Sequence, residues 1–384
     1  MKTKNDNKNL NVPNLRFPEF DGEWSFGKLK DIAILSKGSG ISKDQLSDYG
    51  KPCILYGELY TKYKSEIIKE VVSKTNIDNS GLVQSKANDV IIPCSGEAAI
   101  EIATARCVQM DNILLGGDLN VIRLKGHDGG YFAYQLNGKR KIDIAKVAQG
   151  VSVVHLYGEH LKRVKVAYPS LREQQKISSF LSLLDERIST QIKIIEDLKK
   201  LKSAIRAKLY LQIENTCESN IEIRDMLNYE QPSKYIVKST EYSDQYKTPV
   251  LTANKAFILG YTDEEFGIYD KGECIILDDF TMDVKFVSFP FKVKSSAIKI
   301  LTPKADVDLY FIYEYIQYLD LVAEEHKRHY ISEIEPISIA YISFDEQCKI
   351  SNALRFIDKQ IENANSILLL CNKQKQYLLS QMFI

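Results

Sequence analysis

The sequence predicts an α+β protein of two tandem domains, each followed by a long α-helix, with the two helices pairing with each other. Three observations predict this. Residues 171–213 contain neither Gly nor Pro, and their apolar residues recur at steps of four and three. The same stretch returns 173 positions later as the C-terminal segment. The chain before and between these stretches alternates short strand-like runs with polar loops.

The heptad seam of the first stretch is Ile177, Leu181, Leu184, Ile188, Ile195, Leu198, Ile205 and Leu209, interrupted by polar Gln191 and Lys202. Apolar residues at a and d form a narrow stripe that calls for a partner helix. At about 1.5 Å per residue the helix is about 65 Å long, beyond an ordinary globular helix.

The partner is in the chain. YPSLREQQKISSFLSLLDERI from Tyr168 aligns with YISFDEQCKISNALRFIDKQI from Tyr341. Glu173, Gln174, Lys176, Ile177, Ser178, Leu181, Asp185 and Ile188 match Glu346, Gln347, Lys349, Ile350, Ser351, Leu354, Asp358 and Ile361. The seam continues through Ile357, Ala364, Leu368, Cys371, Leu378 and Met382, and Lys375 repeats the interruption at Lys202. One phase and one shared polar defect point to self-pairing.

In chain order, residues 1–23 read as a docking arm, because prolines beside Leu15, Phe17 and Phe20 favour extended chain over helix. Residues 24–170 form the first domain, with strand-like CILY, DVIIPC, NVIRL and KVAYPS and a helical stretch near 130–149. The central helix is 171–214. After a short polar linker, residues 218–341 form the second domain, with IIL, KFVSF, SSAIKIL and a helical stretch over 310–328. The last helix is 342–384. Domain, helix, domain, helix is the layout of an internal duplication.

Lys+Arg and Asp+Glu number 51 each, so the total charge is zero, but segments differ. Residues 24–168 carry 20 basic against 15 acidic residues, the central helix 9 against 6, and residues 218–341 carry 13 against 22. A free-standing nucleic-acid binder is usually more basic, so any DNA contact needs partners to add positive charge. Seven cysteines with no CxxC fit a reduced, cytoplasmic protein. Neither a membrane span nor a signal peptide is expected.

No Walker A loop, HExxH, GxSxG or dinucleotide fingerprint is present. KGSG at 37–40 reads as a turn, and the paired histidines 155/160 and 326/329 have no complementary ligand spacing. Asp278-Asp279 with Lys285 is half of a nuclease pattern without its other half. No metal ligand, cofactor site or catalytic residue is expected.

Binding remains. Loops rich in Ser, Thr, Asn, Lys and Arg supply the side chains that reach phosphates and base edges. In the first domain the candidates are Lys62, Lys64, Ser95, Arg106 and Ser152. In the second they are Asn254, Lys255, Thr281, Lys285, Lys292, Lys294, Lys327 and Arg328. Two such domains held by paired helices read as a two-headed reader.

The junction QGVSVVHLYGEHLKRVKVAYPSLREQQKI and its second copy, KRHYISEIEPISIAYISFDEQCKI, resemble the specificity subunits of type I restriction–modification systems. The second copy lacks a glycine where the first turns at Gly150. NVPNLRFPEFDGEW and DDFTMDVKFVSFPFKVKSSAIKIL are similar to the same family. The resemblance implies two target recognition domains, with the helices paired as an antiparallel coiled coil that measures a spacer. It implies a bipartite double-stranded DNA target and two methyltransferase subunits that carry S-adenosylmethionine and methylate adenine N6, joined by restriction (translocase) subunits. A DNA-reading subunit of a related modification or phage-exclusion system carries the same features. So does a protein–protein scaffold, which the acidic second domain favours.

Overall fold

The computed structural model describes residues 11–78, 80–252, 257–322 and 329–384. The chain divides into two compact units. One joins Met1–Lys193 with Asn365–Ile384, and the other is Ile194–Ala364. Each holds one α+β domain and part of each long helix, so the division cuts through the helices instead of separating them from the domains. The physical reason is packing: each helix segment buries its apolar stripe in the core of a domain.

In the first unit, β1 (Ala33–Lys37), β2 (Ile67–Ile68), β3 (Asp89–Pro93), β4 (Ser95–Gly96), β5 (Arg106–Val108) and β6 (Leu119–Leu124) precede α1 (Gly129–Asn137) and α2 (Lys141–Lys146). A short strand β7 (Val154–His155) and one helical turn, α3 (Gly158–Leu161), lead into α4, Leu171–Thr216. The main sheet has the order β1-β6-β3-β5-β2. Strand β3 is buried along its whole length, as expected of a central strand.

The helical stretch expected near 130–149 is two helices. It breaks at Gly138, and the Asn137 side chain is held by Ala105, accepting from its N–H at 2.7 Å and donating to its carbonyl at 2.9 Å. This tertiary contact fixes the corner that periodicity alone carried through. The core of the unit brings Ile177, Leu181 and Leu184 of α4 together with Cys371, Leu378 and Met382, and with Tyr131, Tyr134 and Leu136 of α1. The arm docks here. Leu15 N–H donates to Gln381 O at 3.0 Å, Phe17 meets Phe180 edge-on at 5.6 Å, and Arg16 grips both oxygens of Glu173 at 2.7 and 2.8 Å.

The second unit repeats the plan with β8 (Leu227–Glu230), β9 (Cys274–Asp278), β10 (Val284–Val287), β11 (Ile298–Pro303) and α5 (Leu309–Tyr318), before α6, Phe344–Gln381. Its larger sheet runs β8-β11-β9-β10, antiparallel throughout. The helix expected over 310–328 ends at Tyr318, and Asp320 has φ +47, a left-handed backbone that cannot continue a right-handed helix. Residues 323–328 lie outside the described residues. Tyr210 and Ile213 of α4 and Leu354 of α6 share a core with α5.

Candidate nucleic-acid interface

The repeated junction has a definite job. In the first unit the Gln174 side-chain carbonyl accepts from Asp128 N–H at 3.0 Å, and its amide donates to Pro169 O at 2.8 Å. Asp128 is the N-cap of α1 and accepts from Tyr131 N–H at 2.7 Å. In the second unit Gln347 accepts from Asp308 N–H at 3.0 Å and donates to Ile342 O at 3.0 Å, and Asp308 caps α5 through Phe311 N–H at 2.8 Å. Both glutamines are buried. Each clamps the start of its domain's helix onto the start of a long helix, satisfying backbone groups that a helix end leaves orphaned.

The two lysines that interrupt the seam form largely buried ion pairs. In the first unit Lys375 lies 2.6 Å from Asp185 and 2.5 Å from Glu66. Burial pushes the Glu66 carboxyl up, against Lys375. Burial also opposes charge on Asp185, but Lys375 and the Tyr134 hydroxyl outweigh it and hold that carboxyl below its usual range. In the second unit Lys202 lies 2.6 Å from Asp358 and 2.6 Å from Glu314, which Arg206 also reaches at 3.2 Å. Tyr310 donates to Asp358 as Tyr134 does to Asp185. Asp185 and Asp358 are equivalent in the repeat, as are Lys202 and Lys375, and they pair crosswise. The paired residue numbers add to the same value, so each unit holds its two helix segments antiparallel in the same register. Of the other seam residues, Ile195 and Ile357 are buried, and Ile188, Leu198, Ile350, Ile361 and Leu368 are half-buried.

The loop candidates divide. Arg106 is buried, and its guanidinium donates to the carbonyls of Leu59 at 3.1 Å, Tyr63 at 2.9 Å and Ala105 at 3.3 Å. Burial lowers its pKa against the pull of Glu66. Lys292 is fully buried, ion-paired with Glu264 at 2.9 Å and donating to Phe266 O at 2.6 Å. Both side chains brace the domain interior, which corrects their placement among the DNA-facing candidates. Ser95 is buried too, donating to Asp118 at 3.2 Å. Lys294 lies just past the end of the short strand Lys292–Val293 and is exposed, its amine donating to the Tyr242 hydroxyl at 3.0 Å.

Lys62 is exposed but held by Glu58 and Ser73, each at 2.7 Å, while Lys64 and Ser152 are exposed. Thr281 and Lys285 are exposed on the hairpin that joins β9 to β10. The cavity beside them, lined by Asp278, Asp283 and Lys285, is about 10 Å³, room for one water at most. Asn254, Lys255, Lys327 and Arg328 lie outside the described residues.

Asp279 pairs with Lys299 at 3.1 Å and accepts from the N–H groups of His329 and Tyr330, while Asp278 accepts from Phe280 N–H at 2.9 Å. That carboxylate pair is structural. Among the described residues no group of three or more His, Cys, Asp or Glu could hold a metal ion.

Strand β7 pairs with β4, bringing Ser95 and the 149–155 turn together. Lys146, Gln149, His160 and Arg163 line an open cavity at the base of this turn. Neither of its two cationic side chains, Lys146 and Arg163, was a candidate from sequence, although basic residues crowd into 139–165.

The family described as "Type I restriction modification DNA specificity domain" matches residues 21–200. The chain is 47% identical over 118 residues to the type I restriction enzyme EcoR124I/EcoR124II specificity subunit of Escherichia coli, an alignment spanning 29% of each protein. It is 24% identical over 393 residues to the putative type I restriction enzyme MjaX specificity subunit of Methanocaldococcus jannaschii, spanning 92% of this chain and 91% of that one. Among solved structures, the S subunit of a type I restriction-modification system from M. genitalium superposes with TM-score 0.67 at 17% identity, covering 97% of this chain and 99% of that one. A chain from a structure described as concerning complex assembly and conformational transition of the type I R-M system gives TM-score 0.55 at 12% identity, covering 94% and 97%. At these identities the two structures speak for the fold.

Proposed function

This chain belongs to the family of type I restriction–modification specificity subunits, and from that premise we propose that it reads a bipartite DNA target for a modification and restriction complex. The observation that carries the reading is the duplicated clamp: two α+β domains, each fastened by the same glutamine to the head of a long helix. A duplicated mount implies two readers, each taking one half-site through base edges in the major groove. The chain itself is a non-catalytic subunit.

Two methyltransferase subunits bind this chain and hold S-adenosylmethionine, which supplies the methyl group for adenine N6. They take the adenine out of the helix, since chemistry on a base inside a duplex requires flipping. Restriction subunits join them for cleavage. Their surfaces add the positive charge that this neutral chain lacks. No helix among the described residues is long and apolar enough to cross a membrane.

Reconstitution with the methyltransferase subunits tests the reading. The complex is expected to methylate a two-part sequence with an unspecified spacer, and the isolated chain to methylate nothing. Methylation by the purified chain alone, or a complex that ignores sequence, would overturn it. The acidic second domain favours one other reading, a protein–protein scaffold, for which neither complex nor chain would retain specific DNA.

A further inference from the structure

Residues 139–165 carry seven Lys and Arg against two Asp and Glu, while the rest of 24–168 balances at thirteen of each. The whole positive excess of the first domain therefore lies in one segment, and the fold gathers part of it around one cavity. Lys146 at the end of α2, Val147, Gln149, His160 of α3 and Arg163 line an open cavity of about 190 Å³. That is below the roughly 300 Å³ where pockets for drug-sized ligands begin, so it suits a compact anionic group.

Its charges are available. Lys146 and Arg163 are exposed, and neither side chain pairs with a carboxylate among the described residues. The nearby acid, Glu159, is bonded to Lys162. His160 Nδ1 sits 3.0 Å from Val147 O and must donate to it, so Nε2 is the acceptor of the neutral ring and donates to an anion only when the ring is protonated. Lys146 and Arg163 are the charged donors. Tyr157 packs edge-on against the imidazole at 5.7 Å and fixes its plane.

Above this cavity stands a turn closed by two backbone bonds, Gln149 N–H to His155 O at 2.9 Å and His155 N–H to Gln149 O at 2.7 Å. Gly150 makes it possible with φ +126, where a Cβ would lie 2.0 Å from Val153 O. The tip is apolar and in water: Val151 is 97% exposed and Val153 53%. An exposed apolar tip beside unpaired cations has the chemistry of a groove reader, since phosphate contacts set register and base-edge contacts read sequence.

We propose that the cavity of Lys146, His160 and Arg163 holds a backbone phosphate of duplex DNA and so seats the 149–155 turn in the adjoining groove. This rests on the DNA-reading function above. Inorganic phosphate shares the chemistry, and the test separates the two.

The test uses the full chain assembled with its methyltransferase subunits, measuring binding to target and non-target duplexes from 50 to 200 mM salt, on the order of the range over which phosphate contacts are resolved. The K146Q/R163Q double variant should bind both duplexes roughly tenfold more weakly, from the loss of charge-assisted bonds. Its slope of log affinity against log salt should be shallower by about one, the signature of one lost phosphate contact. V151A should leave the slope alone and lower the preference for target over non-target. Unchanged slope and affinity in the double variant would overturn the inference, as would unchanged preference in V151A. Phosphate competition that the double variant abolishes, with duplex binding intact, would mean a site for a free anion and would also overturn it. A wild-type complex that binds no duplex would instead bring down the DNA-reading function itself.

Discussion

In the first domain the lysines and arginines of 139–165 lie largely at the surface, whereas in the second Lys292 and Lys299 are buried against Glu264 and Asp279. Yet both domains are mounted alike, by Gln174 on Asp128 and by Gln347 on Asp308. Even the repeated glutamate diverges. Glu173 grips Arg16 of the arm, while Glu346 turns back to cap its own helix through Ser343. The contrast separates two demands. Mounting needs fixed hydrogen-bond geometry and is repeated residue for residue, while the outward surface carries no such constraint and has taken a different charge in each copy.

Exchanging residues 24–168 for a different first domain breaks the comparison most severely. One half-site should change completely and the other stay intact, as read by mapping methylated sites, provided the incoming domain keeps partners equivalent to Glu66, Asp128 and Tyr134 for the helices. A change in both half-sites would mean that the mounts do not isolate the readers.

The two ion-pair nodes should differ in strength. Lys375→Met leaves Glu66 and Asp185 buried with only Arg106, 4.0 Å from Glu66, as a remaining cation, and should cost about 3–5 kcal/mol. Lys202→Met leaves Arg206 on Glu314 and the more exposed Asp358, so about 1–3 kcal/mol is expected. Urea unfolding followed by hydrogen exchange in each unit reads both, and equal losses would show that the second cation contributes nothing.

The clamps, by contrast, should match. Gln174→Ala and Gln347→Ala each strand the N–H of a helix cap and should each cost about 1–3 kcal/mol in their own unit. A larger loss for Gln174→Ala would reflect its added contact, Nε2 3.1 Å from His127 Nδ1, which Gln347 does not make among the described residues.

Smallest is Gly150→Ala, which meets Val153 O and forbids the native φ. It should open the 149–155 turn at a local cost of about 1–3 kcal/mol, seen as faster amide exchange at Gln149 and His155. Global unfolding should move little, because the tip of the turn, Val151 and Val153, is exposed.

The sequence by itself determined the two long helices, their shared phase and the duplicated layout, because a seven-residue apolar repeat leaves a helix no stable state without a partner. It also showed Gln174 and Gln347 as a repeated pair without showing why. Only the tertiary structure decided that Lys202 and Lys375 are crossed ion pairs and that Arg106 and Lys292 are interior braces. A lysine in a loop and a lysine on a buried strand look the same in one dimension, and which it is depends on carboxylates tens or hundreds of positions away. The cavity at Lys146, His160 and Arg163 depends in the same way on the fold, since a helix end, a turn and a second helix must meet before these scattered polar side chains share one space.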